Sequence, residues 1–413
     1  MHFRTASLLA AVFLATIAPA QAQNDALPVF RVGVLNDQSG LYSDIAGLGS
    51  VEAARMAVED FDPEAKGFRV EILSADHQNK PDVGANIVRQ WFDRDQVDVV
   101  ADVPTSSIAL AVSEIAREKD KVFLIASAGT SDLTGKACTP NNVHWTYDTW
   151  ALANGTARAV IAGGGKTWFF LTADYAFGHA LERDAMSIIT ANGGEIAGQV
   201  RAPFQTNDFS SFLLQAQGSG AQIVALANSG GDTITAVKQA AEFGLTDAGQ
   251  KLAGMLVFLT DVHSIGLQTA QGLLLTEAFY WDLNEGTRAW TERFVKRTGD
   301  RYPTMNQAGT YASILHWMKA VAAMPDKAAA RSGRHAVEAM KAMPTDDALF
   351  GKGSIRIDGR KIHDMYLFEV KSPSAARQPY DYYNVVSTIP GDQAFRPLKD
   401  SGCPLAGSAA TGQ

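Results

Sequence analysis

The chain has 413 residues, 46% of them hydrophobic, and carries 44 acidic against 36 basic side chains for a net charge of −8. That length exceeds what one hydrophobic core comfortably serves, so two lobes are expected. An acidic chain without basic clusters excludes nucleic acid and anionic membrane surfaces as natural partners.

Residues 1–22 read as a secretory signal. Arg4 precedes an apolar run from Ala6 to Ala18, and Ala20-Gln21-Ala22 offers small residues where a signal peptidase cuts, near Ala22. The run is too short to anchor the chain in a bilayer, and no later run is long and charge-free enough to cross one. Cys138 and Cys403 are the only cysteines, each in a polar, Pro-containing stretch. An even pair in an exported chain suggests one disulfide, with two independent buried thiols as the alternative.

From Phe30 the sequence alternates between two periodicities. Val32, Val34 and Leu35 form an apolar strand. A Gly- and Ser-rich loop with Ser39, Tyr42, Ser43 and Asp44 follows, then a helix with Ala53, Met56, Ala57 and Phe61 on one face. The unit repeats as FRVEILSAD and PDVGANIVRQWFDRD, VDVVADVPT and SSIALAVSEIAREKD, then KVFLIASAG. Helices between continuously apolar strands force parallel pairing in a sheet covered on both faces. The pattern breaks at LTGKACTPNNVHWTYDT, where the first passage between lobes is expected near Trp145 to Asp148. It restarts with TWFFLTAD, EIAGQVRAP, QIVALANS and KLAGMLVFL as strands. The run QGLLLTEAFYWD reads as the return passage. Three helices, a turn at GKGSIRIDGR and the strands MYLFEVK and YYNVVSTIP complete the chain, with a disordered tail expected past Cys403.

Catalytic and cofactor motifs fail. GGGKT lacks the leading Gly of a phosphate loop and precedes a strand, whereas such a loop must follow one. Gly47 and Gly49 open a dinucleotide fingerprint, but Glu52 holds the third Gly position. The eight His show no metal-ligand spacing, there is no nucleophile elbow, and His316 reads as a packing residue. No cofactor and no enzymatic activity are expected.

What survives is a set of polar loops at strand ends, where open α/β sheets bind ligands. Thr105, Ser106 and Ser107 precede a helix; Ser127, Ala128, Gly129 and Thr130 follow the next strand. Hydroxyls beside free N–H groups at a helix start suit a carboxylate, and equally suit plain helix capping. In the second half Tyr175 follows a strand. Asp232 sits where it could hold an ammonium or cap the helix DTITAVKQAAEF, and Asp261 has no obvious helix to cap. Tyr42, Tyr175, Phe279, Tyr280 and Trp281 offer apolar walls or core.

The ordered series VGVLNDQSGLY, SVEAARMAVEDF, IASAGTSDLTG, WFFLTADYAFGHALE and IRIDGR…DMYLFEVK resembles the leucine/isoleucine/valine-binding protein family across the mature chain. The resemblance implies a type I periplasmic binding protein: two lobes, each a mostly parallel sheet flanked by helices, joined by a multi-strand hinge. It implies an N-terminal lobe of 23–146 with 280–352, a C-terminal lobe of 147–279 with 353–396, and a tail of 397–413. The family's carboxylate-binding serine falls on Ser106 or Ser107, and its clamp on Ala128 and Thr130. Its second-lobe tyrosine falls on Tyr175, its amine-binding acid on Asp261, and a first-loop residue on Tyr42. LTDVH replaces a Glu-containing loop and ASAGT replaces SPAAT, which leaves the solute open between apolar amino acids and aromatic acids. The implied partners are such a carboxylate-bearing solute and the membrane permease of an ATP-driven (ABC) importer, with the receptor a periplasmic monomer closing on its hinge. The alternative is a sensor reporting ligand to a membrane kinase or chemoreceptor.

Overall fold

The computed structural model describes residues 27–246 and 249–408; the expected signal segment lies outside them. The first half runs β1 (Val29–Asn36), α1 (Gly47–Phe61), β2 (Arg69–Asp76), α2 (Pro81–Asp93), β3 (Val99–Asp102), α3 (Ser106–Glu118), β4 (Val122–Ile125) and β5 (Asn142–His144). These strands form one parallel sheet in the order β2-β1-β3-β4-β5. Its centre is dry: every residue of β3 and β4 is buried, as a sheet covered on both faces requires. Gly33 in β1 exists for packing, because a Cβ there would lie 2.3 Å from the indole of Trp91 on α2.

The second unit runs α4 (Thr149–Ala162), β6 (Thr167–Ala173), α5 (Ala176–Ala191), β7 (Glu195–Ala202), α6 (Ser210–Gly218), β8 (Ile223–Ala227), α7 (Gly231–Glu242), β9 (Lys251–Gly254), α8 (Leu259–Ile265) and α9 (Leu267–Ala270). Its parallel sheet has the order β7-β6-β8-β9. The expected long strand KLAGMLVFL is shorter than its apolar run: only Lys251–Gly254 pairs, and LTDVHSI folds as α8.

The chain then passes between the sheets. β10 (Leu274–Glu277) packs beside α4, whereas α10 (Glu285–Thr298) and α11 (Met305–Ala323) return to α1. They are followed by α12 (Gly333–Ala342), β11 (Thr345–Asp347), β12 (Gly351–Ile355) and β13 (Lys361–Ile362), the last three forming an antiparallel sheet. β12 packs on α12, and Arg360 bridges His144 at the end of β5. The expected division between residues 352 and 353 therefore falls inside this first-lobe hairpin. β14 (Met365–Val370) and β15 (Tyr383–Ile389) complete the antiparallel sheet β10-β14-β15 in the second lobe, followed by α13 (Gly391–Ala394).

Cys138 and Cys403 are disulfide-bonded, with Cα atoms 5.7 Å apart. Past Cys403 the expected disorder gives way to a helical turn, α14 (Pro404–Ser408), anchored by that bridge. His316 is buried, with Nε2 3.0 Å from the Met340 carbonyl and its ring against Trp145.

The passages are tied to each other. Fully buried Arg360 donates to the Tyr147 carbonyl at 3.0 Å and lies 3.5 Å from the Asp148 carboxylate. Asp148 in turn caps α4 through the Ala151 N–H at 2.9 Å. His363 Nε2 sits 2.8 Å from the Thr146 carbonyl. Two stretches of chain, 146–151 and 360–363, thus share one hydrogen-bonded hinge.

Candidate functional site

Strand ends of both sheets meet at a narrow interlobe gap with only about 10 Å³ of free space. Its first-lobe wall comes from the loops after β1, β3 and β4: Tyr42, Ile45, Pro104, Ser127 and Gly129, with Tyr147 at the hinge. Tyr175, Phe177, Ser229 and Leu256 face them from the second lobe. Gly129 is required here, because a Cβ would lie 2.7 Å from the Phe177 ring and 3.2 Å from that of Tyr147.

Asp37 holds the β1–α1 loop. Its carboxylate accepts the Gly40 N–H at 2.7 Å, the Tyr42 N–H at 2.8 Å and Asn79 Nδ2 at 2.5 Å. The loop so fixed aims Tyr42 across the gap, where its hydroxyl lies 2.5 Å from that of Tyr175. Phe204 packs on both rings, 4.5 Å from Tyr175 and 5.8 Å from Tyr42 between centroids. Burial pushes both phenols above their usual range. Tyr42 and Tyr175, one from each lobe, thus face each other in this gap.

The remaining expected residues divide. Ser106 and Thr130 are buried and joined, the Thr130 N–H donating to Ser106 Oγ at 3.2 Å. The capping alternative fails for the first of these loops: Thr105, at the N-cap of α3, makes no side-chain cap and instead donates to Asn79 Oδ1 at 2.6 Å. It holds in part for the second, since Thr130 Oγ1 accepts the Asp132 N–H at 3.3 Å. Ser107 is half-buried one residue into α3. Ala128 is buried, its carbonyl 2.7 Å from His144 Nε2.

Two readings of the acids need correction. Asp232 does not cap its own helix: its carboxylate accepts the Gln205 N–H at 3.2 Å and so ties the loop after β7 to α7. Asp261 does have a helix to cap. It lies in the first turn of α8 and accepts the Phe258 N–H at 3.0 Å, a return bond hidden by the shortness of that helix. Burial raises Asp232 to about 7 against the opposing N–H groups of Gln205 and Thr206. Burial likewise raises Asp261 to about 7, against the Phe258 N–H and with the Asp44 charge adding to the rise.

Sequence reasoning missed several residues. Tyr147 donates to the Ser127 carbonyl at 2.5 Å and closes the hinge end. Asp102 is fully buried, accepts hydrogen bonds from Ser127 Oγ and, at 2.8 Å, from Asn36 Nδ2, and is raised by burial to about 6. Glu277, the last residue of β10, accepts from Tyr383 Oη at 3.0 Å; burial lifts it well above the usual carboxylate range, with the Asp261 charge adding to the rise. An acid ending an apolar strand was the one available signal for it. Among the described residues none of Asp102, Asp232, Asp261 and Glu277 is ion-paired, and no cluster of His, Cys, Asp and Glu is arranged to hold a metal.

Two α/β lobes on a shared hinge, with tyrosines meeting across a small gap, define a solute-binding protein. The model of the periplasmic binding protein family matches residues 29–377. A periplasmic binding protein from Burkholderia mallei is 48% identical, with 91% of this chain and 98% of that one covered at a TM-score of 0.88. A branched-chain amino acid ABC transporter periplasmic ligand-binding protein from Burkholderia xenovorans is 40% identical, covering 91% and 100% at 0.80. The Leu/Ile/Val-binding protein homolog 6 of Brucella melitensis is 26% identical over 390 residues, 91% of this chain and 94% of its own. The chain belongs to the periplasmic binding protein family, in its leucine/isoleucine/valine-binding branch, whose members are the solute-binding components of ABC transporters.

Proposed function

We propose that the mature chain, cleaved near Ala22, is a monomeric periplasmic receptor that captures a small carboxylate-bearing solute in the interlobe gap and delivers it to an importer's permease without chemically altering it. The single observation that carries this reading is the Tyr42–Tyr175 contact across the gap, one phenol from each lobe at 2.5 Å. On the first lobe the solute carboxylate meets the Ser106 hydroxyl and Thr130, with N–H groups of Ser107 and of the Ala128–Gly129 turn beside them at the start of α3. Asp261 is left to cap α8.

Closure follows from differential binding. Swinging a hinge from 1:99 to 99:1 needs about 5.5 kcal/mol of preference for the closed form. Hydrogen bonds to a charged group, at roughly 1.5 to 3 kcal/mol each, reach that with three or four. The test is a thermal-shift screen of the purified mature chain against apolar amino acids and aromatic acids. A bound solute at a hundred times its Kd stabilises by about 2.7 kcal/mol, an upward shift of several degrees. A screen in which no compound of either class shifts the transition would overturn the reading.

A further inference from the structure

The two loops that build the first-lobe wall are joined by a side chain that lies outside the gap. Asn79, in the turn after β2, is 9% exposed and takes a left-handed φ of 55°, directly after Gln78 at 54°. Asn tolerates that backbone better than most residues, and here its amide is turned inward. Asn79 Nδ2 donates at 2.5 Å to the Asp37 oxygen that also accepts the Tyr42 N–H, and Asn79 Oδ1 accepts the Thr105 hydroxyl at 2.6 Å. One end of the amide thus holds the loop of Tyr42, and the other holds the start of α3. The two ends demand opposite chemistry, since Asp37 needs a donor and Thr105 an acceptor. A carboxylate at position 79 supplies no donor, and an apolar side chain supplies neither.

The bond to Thr105 decides what the N-terminus of α3 offers. Thr105 has the extended backbone of an N-cap, with φ −86° and ψ 112°. A Thr there ordinarily accepts the N–H of the second or third helical residue through its hydroxyl, which in α3 means Ser107 or Ile108. Thr105 makes no such bond, because its hydroxyl is turned to Asn79. The Ile108 N–H goes to the Thr105 carbonyl at 2.9 Å, so Ser107 is the donor that a cap would occupy. Its N–H is also one of those to which the solute carboxylate is assigned.

Resting on the receptor reading above, we propose that Asn79 is a positioning residue for solute capture: it draws the Thr105 hydroxyl off α3 and so keeps the Ser107 N–H open for the solute carboxylate. The helix end stays short of one partner in the free chain, and the solute supplies it. Through Asp37 the same amide sets the Tyr42 loop before any solute arrives, so less ordering remains to oppose binding. Without Asn79 the Thr105 hydroxyl is free to rotate onto Ser107, and a built-in cap then competes with the solute.

Calorimetry on the mature chain with leucine and with benzoate, one from each solute class, tests this. Asn79→Gly removes the amide and suits the left-handed backbone. It should weaken the probe that binds wild type by ~10- to 100-fold, the range of a hydrogen bond to a charged group, with the far-UV circular dichroism unchanged. Adding Thr105→Val, which has no oxygen to cap with, should recover that affinity several-fold, whereas simple damage to the fold would deepen with a second substitution. In the ligand-free chain, hydrogen exchange at the Ser107 amide should slow in Asn79→Gly and return to the wild-type rate in the double variant. Wild-type affinity in Asn79→Gly, or a double variant that binds no better than the single one, would overturn the proposal and leave the receptor reading in place. If neither probe binds wild type, both fall together.

Discussion

Replacing Asp261 by Asn isolates what an unpaired buried acid does to this protein. Asn is nearly the same size and retains an oxygen for the Phe258 N–H, so the cap of α8 survives the change. Only the titration is lost. In the folded chain Asp261 is raised from 3.8 to about 7 by burial. Between those two values the unfolded chain has released the proton and the folded chain retains it, so wild-type stability falls as pH rises through the window. At 1.36 kcal/mol per unit, the roughly 3 units amount to ~3 to 4 kcal/mol lost between pH 4 and pH 8. The variant has no such term. Urea unfolding at the two pH values should therefore show Asp261→Asn more stable than wild type at pH 8, by ~3 to 4 kcal/mol beyond any difference at pH 4. A variant-to-wild-type difference that is the same at both pH values would refute the reasoning.

Three further outcomes follow from the geometry. Reducing the Cys138–Cys403 bridge, or replacing both with Ser, releases a loop of 265 residues; the loop-entropy model gives a loss of about 5 to 6 kcal/mol, read as a lowered unfolding midpoint. Gly129→Val should leave the far-UV circular dichroism unchanged yet abolish solute binding, because its side chain meets Phe177 and Tyr147 and fills the gap. Tyr175→Phe removes one hydrogen bond between the lobes, so solute affinity should fall by the equivalent of ~0.5 to 1.5 kcal/mol, a ~2- to 12-fold rise in Kd by titration, with the fold intact.

The two parallel sheets were legible because each strand is a continuous apolar run and each helix keeps a 3.6-residue stripe, as in α1 and α2. Tyr42 and Tyr175 were legible because both follow strands at the ends where such sheets bind ligands. Asp261 was misread for a local reason: α8 is only seven residues long and begins inside an apolar run, so nothing in the pattern marks its start. The exchange between α7 and the loop after β7 made by Asp232 depends on an approach of distant segments, which no local spacing encodes. Ser229 was silent for a related reason. What sets it apart is burial without a hydrogen-bonding complement, and that is a property of the assembled lobes, not of a sequence window.

The most direct measurement is a crystal structure of the mature chain with a solute found by the screen. The account predicts one solute molecule per chain in the gap between Tyr42, Tyr147 and Tyr175, its carboxylate at Ser106 and Thr130. A solute bound outside that gap, on one lobe alone, would contradict it.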